Sequence, residues 1–389
     1  MASARLLYGW RARLVRLGIL GNVLTLAMRT YGNPITAVRA LKLVIAKKRA
    51  NIGSERFIKM LRAGGKYHWA IASPGWPSIA FSRFILNELN QVQPYQGGSH
   101  RLHTAIFSIT SLCPLRCGHC YEWDNLSQTE TLGFDQLRAI LWKLQRLGVG
   151  SIEFSGGEPL SRYEDLLRLL KVARPGTDFW ILTSGIGLTR ERADQLKEAG
   201  LDGVAVSLDH WDEGEHNRFR GSNASYGWAL EAARNAAGAG LATAFSLCAQ
   251  KEFVSQDNLL RYLWLAADNR AGFVRILEPR QTGHFRGREI ELEEEQINCL
   301  REFYLFTKTD PSCRRLPGVE YTGYHQRLRG CFGAGVRYLY IDSRGDVHAC
   351  PFCQNPVGNA PADSLQECRD KLQAIGCHKF ALQAAESSL

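Results

Sequence analysis

Three cysteines within eight positions are the residues of this chain best suited to chemistry. Cys113, Cys117 and Cys120 follow a C-x3-C-x2-C spacing in a loop-like run that also contains Pro114 and Gly118. Thiolates are the protein ligands that iron–sulfur clusters select, and such a loop lets three sulfurs converge. Three thiolates can hold only three irons of a four-iron cubane. We therefore expect a cluster whose fourth iron has an open position for a further ligand.

The elements that must position this loop alternate along the middle of the chain. The β-rich runs are 104–111, 151–154, 178–183, 203–208, 242–248 and 273–277. The helical stretches between them are 134–147, 163–173, 189–199, 224–238 and 257–268. This alternation predicts an α/β fold with a parallel sheet, either an open partial barrel or a flat doubly wound sheet. In both folds functional groups collect at the carboxyl ends of the strands.

Polar and glycine-rich residues stand at those predicted strand ends. They are Ser155, Gly156, Gly157, Glu158, Thr183, Ser184, Ser207, Asp209 and Arg220. The two glycines allow a ligand to approach the backbone closely, and Glu158 can pair with a cationic group. Ser207 and Asp209 share a face and can bind ribose hydroxyls, while Arg220 can pair with a carboxylate. Any one of these features alone is better explained as a turn or a strand cap, but together they suit a ligand with an amine, a carboxylate and a ribose.

These residues resemble the radical S-adenosylmethionine (radical SAM) superfamily over roughly residues 104–285. The three cysteines match its cluster loop, and Gly156–Gly157–Glu158–Pro159 matches the element that binds the methionine amino group. Ser207 and Asp209 match its ribose-binding strand. The resemblance implies a partial (β/α)6 barrel with a 4Fe-4S cluster that reductively cleaves S-adenosylmethionine. The resulting 5′-deoxyadenosyl radical would abstract hydrogen from a substrate C–H bond.

A second group of cysteines lies near the C-terminus. Cys331 precedes a predicted hairpin, and Cys350 and Cys353 follow it in a C-x2-C pattern. The segment resembles the shortened auxiliary-cluster module called SPASM or twitch, which implies a second 4Fe-4S cluster. By that resemblance Cys377 is the expected fourth ligand and Cys368 the next choice, while an open fourth site is a further alternative. A zinc site is another alternative, because C-x2-C hairpins also bind zinc.

Composition and charge favour a soluble, metal-binding protein over a secreted or nucleic-acid-binding one. The chain has 389 residues, 45% of them hydrophobic and 22% charged, which is ordinary for a soluble globular protein. Its 11 cysteines, with no convincing signal peptide, indicate metal ligands in a reducing cytoplasm rather than disulfides. The net charge of +10 is concentrated in residues 1–65, which hold thirteen basic residues and one acidic residue. A nucleic-acid interface is therefore not expected.

The chain divides into three predicted domains. Residues 1–100 form a basic, mainly helical segment, 101–290 the partial barrel, and 291–389 a linker helix with a small cysteine-rich α+β module. In the first segment a stripe of large apolar side chains recurs at helical spacing: Leu7, Trp10, Leu14, Leu17, Leu24 and Met28. Such a stripe either lies in a membrane interface or packs on the protein's own core.

The predicted function is an oxygen-sensitive radical SAM oxidoreductase that acts on a peptide or protein side chain. Two alternatives stay open: modification of a lipid or membrane-associated small molecule, and a non-catalytic iron–sulfur electron carrier or assembly partner. The expected partners are an electron donor such as flavodoxin or ferredoxin and the substrate. A cytoplasmic location is expected, with peripheral contact at the inner membrane surface through residues 1–65 as an open alternative. The sequence identifies no catalytic acid or base.

Overall fold

The N-terminal part of the chain is a small antiparallel sheet with three helices. A computed structural model describes residues 3–52, 58–98, 100–331, 333–377 and 379–380. The elements of this part are β1 (Arg5–Tyr8), α1 (Trp10–Tyr31), α2 (Pro34–Ile52), β2 (Lys59–Ala63), β3 (Lys66–His68) and α3 (Ile79–Val92). Gly32 ends α1 in a left-handed conformation, and the Asn33 side chain accepts a hydrogen bond from Ile35 N at 2.8 Å. These caps join α1 and α2 into a helical hairpin. Among the described residues, no helix is long and apolar enough to cross a bilayer.

Six parallel strands and their helices form the centre of the fold, as the alternating sequence predicts. The strands are β4 (Thr104–Ser108), β5 (Ser151–Ser155), β6 (Asp178–Thr183), β7 (Gly203–Ser207), β8 (Ala242–Cys248) and β9 (Phe273–Leu277). The helices are α4 (Phe134–Arg146), α5 (Tyr163–Val172), α6 (Arg190–Glu198), α7 (Glu213–Arg220), α8 (Ser225–Gly238) and α9 (Gln256–Asp268). The six strands pair in chain order, so that all their carboxyl ends meet at one edge.

The C-terminal part extends this sheet at both sides. Its elements are α10 (Glu294–Thr309), β10 (Gly318–Tyr321), α11 (Thr322–Arg329), β11 (Tyr338–Ile341), β12 (Val347–His348) and α12 (Leu365–Ile375). Strand β10 pairs in parallel with β9, and β11 pairs in parallel with β4. The sheet therefore runs across the expected domain boundary at residue 290, because strands from the C-terminal part cover both edges of the barrel strands.

The N-terminal part closes the amino end of the barrel. Lys66 Nζ lies 2.8 Å from Asp178 Oδ1, at the start of β6, and 2.7 Å from Asp202 Oδ1, just before β7. The backbone N–H of Gly75 donates to the other oxygen of Asp178 at 2.8 Å. Both carboxylates are buried, so these contacts replace the water that the charges lose on folding. The N-terminal part thus lies opposite the carboxyl edge.

The apolar stripe of the N-terminal part is exposed. Trp10 is 66% exposed, Leu14 57% and Leu17 63%, whereas helix α1 buries the smaller side chains of Ala12, Val23 and Ala27. Leu7 belongs to β1 and not to the helix. The interpretation in which the stripe packs on the protein's own core is therefore wrong for Trp10, Leu14 and Leu17. Helix α1 meets its neighbours through another face, on which Ile19 and Leu26 pack beside the buried small residues.

Candidate functional site

The three sequence-predicted cysteines lie in the loop that follows β4 at the carboxyl edge. Cys117 is buried, and Cys113 and Cys120 are half-buried. Burial raises the pKa of Cys113 to about 11 and that of Cys120 to about 12. It also raises the pKa of Cys117, against the opposing effect of the nearby Arg220 guanidinium. Thiolates at these positions therefore need a further positive charge beside them, which iron would supply.

Gly156 and Gly157 hold this loop against β5. The backbone N–H of Gly157 donates to Thr110 O, and that of Glu158 donates to Leu112 O, both at 2.8 Å. A Cβ on Gly156 would meet Thr110 O at 2.3 Å, and one on Gly157 would meet Leu112 O at 2.4 Å. The glycines were predicted to let a ligand approach the backbone. The structure gives them a further reason, because only glycine lets the cysteine loop pass this close.

Glu158 is buried and joins the ends of β5 and β6. Its Oε1 accepts from Thr183 Oγ1 at 2.6 Å and from Leu160 N at 3.1 Å. Its Oε2 accepts from the backbone N–H of Ser184 at 2.7 Å and from the Ser184 hydroxyl at 2.6 Å. Burial is the larger effect and raises the pKa of Glu158, while these hydrogen bonds lower it. Sequence reasoning assigned Glu158 to a cationic ligand, whereas in this structure the carboxylate organises the neighbouring strand end.

Asp209 and Arg220 form a buried ion pair beside the cysteine loop. Arg220 Nη2 lies 2.6 Å from Asp209 Oδ2, and Arg220 Nη1 lies 3.7 Å from Cys117 Sγ. The other Asp209 oxygen accepts from Cys248 N at 2.9 Å. Burial opposes ionisation of Asp209, but Arg220 lowers its pKa overall. Arg220 was expected to pair with a carboxylate of the ligand, whereas in this structure its partner is the protein's own Asp209. Ser207, at the end of β7, lines a large cavity that the cysteine loop also borders.

The loop after β9 holds the cysteine loop from the opposite side, a contact that sequence reasoning missed. His284 Nδ1 lies 3.1 Å from Cys117 O, and the His284 backbone N–H donates to Cys120 O at 3.0 Å. The ring of Trp123 stacks on the His284 ring with a centroid distance of 3.8 Å. No local sequence signal links these residues, because they come from loops more than a hundred positions apart.

The C-terminal cysteines gather on the far side of the same cavity. Cys350 Sγ and Cys353 Sγ are 3.3 Å apart, and this hydrogen bond lowers the pKa of Cys353 while raising that of Cys350. Burial raises the pKa of Cys331, and the neighbouring Cys377 raises it further. The backbone N–H of Gly333 points at Cys331 Sγ from 3.3 Å, a contact typical of thiolates that hold iron–sulfur clusters.

The surroundings of the second group distinguish the two candidates for its fourth ligand. The side chain of Tyr338 hydrogen-bonds with Cys331, a contact that the cysteine spacing does not predict. Cys368 instead packs in the hydrophobic core on α12 and is fully buried. Cys377, like the other three cysteines, lines the cavity. The structure therefore brings Cys377, and not Cys368, to the group.

One cavity of about 1650 Å³ connects these features. The two cysteine groups face it at the carboxyl edge, and Glu153 and Arg275 pair across the middle with hydrogen bonds of 2.8 and 3.1 Å. At its other end the lining is mostly apolar and comes from the N-terminal helices and the segment after β3: Ile19, Val23, Val44, Ile45, Trp69, Phe81, Phe84 and Ile85. The cavity is thus polar and sulfur-lined at one end and apolar at the other.

The donor atoms fit iron–sulfur clusters. Both sets consist of thiols turned toward a cavity, and soft sulfur donors select such clusters over hard cations. In the part of the chain that the structure describes, no three His, Cys, Asp or Glu side chains converge closely enough to hold a single metal ion. The three cysteines of the first loop, and the four of the second group, are the residues that would hold the clusters.

Comparison with known proteins gives a family and a fold. The family described as the radical SAM superfamily matches residues 107–263. A PqqA peptide cyclase of Streptomyces rochei is 32% identical over 272 residues, which cover 67% of this chain and 74% of that protein.

Two solved structures are similar in fold. Streptococcus suis SuiB bound to precursor peptide SuiA has a TM-score of 0.56 at 14% identity, with 74% of this chain and 68% of that chain covered. Native anSMEcpe with bound AdoMet and Cp18Cys peptide has a TM-score of 0.55 at 14% identity, with 72% of this chain and 82% of that chain covered. At this identity the two likenesses establish the fold alone.

Proposed function

This chain belongs to the radical SAM superfamily and is an enzyme, and from that premise we propose that it activates a C–H bond of a peptide or protein side chain. The superfamily uses a 4Fe-4S cluster with S-adenosylmethionine, and the SPASM-type relatives carry auxiliary clusters. The alternative of a non-catalytic electron carrier is accordingly set aside.

The first cysteine group is proposed to hold the cluster that meets S-adenosylmethionine. Cys113, Cys117 and Cys120 supply three thiolates, and the loops around Gly157 and His284 fix their backbone. When bound, the cluster and S-adenosylmethionine together supply the 5′-deoxyadenosyl radical that removes a hydrogen atom from the substrate. The protein's own part is to bind, orient and shield the reacting groups.

The S-adenosylmethionine site is proposed to occupy the ends of β5, β6 and β7. It comprises the predicted set Ser155, Gly156, Gly157, Glu158, Thr183, Ser184, Ser207, Asp209 and Arg220. Within it, Glu158 acts through Thr183 and Ser184, whose positions it fixes with three hydrogen bonds. Asp209 acts through Arg220, which it holds beside Cys117. Glu158 and Asp209 are therefore positioning residues in this proposal.

The second cysteine group is proposed to hold one auxiliary 4Fe-4S cluster. Cys331, Cys350, Cys353 and Cys377 are the proposed ligands, because all four line the cavity and Cys368 is buried in the core. A contact ties this group to the first one: Thr282 Oγ1 donates to Phe352 O at 3.3 Å, next to the loop of His284. A substrate held between the two groups would face both.

The observation that carries the peptide proposal is the cavity that the two cysteine groups share. Its size and polar end suit a peptide side chain rather than a small gas or ion. The relatives support this assignment, since the Streptomyces rochei protein is named a peptide cyclase and SuiB is bound to a precursor peptide. We propose a cytoplasmic enzyme that receives electrons from a flavodoxin or ferredoxin.

A second candidate substrate is a lipid or membrane-associated small molecule. The apolar end of the cavity, formed by the helical hairpin and α3, favours it. A hydrocarbon chain is the ligand that such a lining binds best, because burial of each methylene contributes about 0.8 kcal/mol. Peripheral contact of residues 1–65 with the inner membrane surface would bring such a molecule to the enzyme.

An anaerobic turnover assay tests the proposed function. Reconstituted protein receives dithionite, S-adenosylmethionine and candidate peptides, and 5′-deoxyadenosine and modified peptide are measured. We expect 5′-deoxyadenosine to form, and its yield to rise with a peptide substrate. No 5′-deoxyadenosine from protein with a full iron content would contradict the enzyme assignment. Stimulation by lipid extract but by no peptide would favour the second candidate.

A further inference from the structure

The exposed faces of the helical hairpin form one unusual surface, which we call the hairpin face. It consists of the apolar side chains Trp10, Leu14, Leu17, Leu24, Met28 and Ile35 and the basic side chains beside them. The five from α1 are spaced by four, three, seven and four positions, so they share one side of the helix. Ile35, at the start of α2, is 81% exposed.

Folding of the chain itself does not require this face. Helix α1 packs through Ala12, Val23 and Ala27, and α2 packs through Ala37 and Ala40. Both helices therefore carry a second side whose exposed apolar residues belong to none of the buried clusters of the described residues. Scattered exposed apolar residues are ordinary, but a continuous stripe of this length marks a contact surface.

The charge of the same surface identifies the partner. Arg11, Arg13, Arg29, Arg39 and Lys42 are all exposed. Residues 3–52 contain no acidic residue. Among the described residues, no ion pair involves any of these five side chains. A second copy of this chain would present the same positive charge, so self-association through the face is opposed by like-charge repulsion.

We propose that the hairpin face docks on the surface of an anionic phospholipid bilayer. The apolar stripe would lie at the boundary between headgroups and acyl chains, with Trp10 at the level where tryptophan is enriched. The arginines and lysine would meet the headgroup phosphates on either side. This inference deepens the membrane contact proposed above and does not depend on the radical chemistry.

Docking in this orientation leaves the reaction edge accessible. The N-terminal part is fastened to the amino end of the barrel through Lys66, Asp178 and Asp202. The cysteine loops lie at the opposite, carboxyl edge, where an electron donor and a peptide can approach. The apolar end of the cavity also touches α1, through Ile19 and Val23, on the side of the helix away from the stripe.

Vesicle sedimentation with the full-length, cluster-loaded protein tests the proposal. Vesicles of phosphatidylcholine alone are compared with vesicles that also contain phosphatidylglycerol, at low and high salt. We expect binding to the anionic vesicles that weakens as salt rises. The variant Leu14→Glu/Leu17→Glu should lose about tenfold or more of the vesicle affinity, because two apolar anchors are replaced by negative charge.

Matched tryptophan variants provide the control. Trp10→Glu should weaken vesicle binding, whereas Trp264→Glu, which changes a 54% exposed tryptophan on α9, should leave it unchanged. All variants should form 5′-deoxyadenosine like the parent protein, so loss of docking and failure of the enzyme assignment are separate outcomes. Equal binding by the Leu14→Glu/Leu17→Glu variant, or no binding of the parent protein to anionic vesicles, would overturn the proposal. A dimer of the parent protein that the double substitution dissociates would also overturn it. Binding to an acidic protein without any binding to lipid would do the same.

Discussion

The Oε2 atom of Glu158 accepts two hydrogen bonds from Ser184, one from its backbone N–H at 2.7 Å and one from its hydroxyl at 2.6 Å. These bonds join the end of β5, which supports the cysteine loop, to the turn that follows β6. The predicted S-adenosylmethionine site is therefore built as one hydrogen-bonded unit, and a change in one strand end is expected to affect the other.

Glu158→Gln should weaken S-adenosylmethionine binding by about tenfold and leave iron content nearly unchanged. Each carboxylate oxygen accepts a hydrogen bond from a backbone N–H, one from Leu160 and one from Ser184. The side-chain NH2 group of glutamine would therefore face one of these N–H donors. The unpaired buried group should lower the free energy of unfolding by about 1–3 kcal/mol. Calorimetric titration and chemical denaturation measure both effects. Glu164→Gln, on the exposed side of α5, is the control; unchanged affinity in Glu158→Gln would remove this residue from the site.

Gly157→Ala should prevent normal cluster loading. The added methyl group would lie 2.4 Å from Leu112 O, so the cysteine loop must move away from β5. Gly227→Ala is the matched control, because a Cβ there meets nothing within 4 Å. Iron content after anaerobic reconstitution should fall in the first variant only. A full iron content in Gly157→Ala would show that this contact does not hold the loop.

Cys117→Ala should abolish 5′-deoxyadenosine formation, whereas Cys313→Ala should retain it. Cys117 lies in the cluster loop beside Arg220, while Cys313 is buried in the hydrophobic core near the start of β10. Removal of the Cys313 sulfur should cost only about 1 kcal/mol of stability through a small cavity. Single-turnover assays on both variants measure the difference. Activity in Cys117→Ala would contradict the assignment of the loop.

Cys377→Ala should reduce the iron content by roughly four per chain, and Cys368→Ala should not. Cys377 interacts with Cys331 beside the cavity, whereas Cys368 packs in the core. Iron and sulfide determinations are made in a background of Cys113→Ala/Cys117→Ala/Cys120→Ala, so that only the second group contributes. Iron loss in Cys368→Ala but not in Cys377→Ala would show that Cys368 is the fourth ligand. Stoichiometric zinc in place of iron would show that the second group is a zinc site.

Local patterns in the sequence predicted the central strands and both cysteine groups. The six barrel strands and the loop of Cys113, Cys117 and Cys120 depend on residues close together in the chain, so spacing and periodicity reveal them. The cap of α2 is also a local feature, because Asn33 and the following Pro34 are residues favoured at a helix start.

Contacts between distant segments could not be predicted in this way. The His284 contacts with the cysteine loop and the pairing of β11 with β4 join residues far apart in sequence. The strand pattern predicts that Asp209 faces the ribose, but it cannot show the additional ion pair of Asp209 with Arg220. The short strands β1–β3 lack a clear apolar alternation and gave no signal.

We propose above all that the cluster held by Cys113, Cys117 and Cys120 has an open iron at which S-adenosylmethionine binds. The most direct measurement is electron paramagnetic resonance of the dithionite-reduced Cys331→Ala/Cys350→Ala/Cys353→Ala variant, with and without S-adenosylmethionine. We expect a cluster signal whose g-values shift when S-adenosylmethionine is added. An identical spectrum in both samples, at full cluster loading, would contradict it.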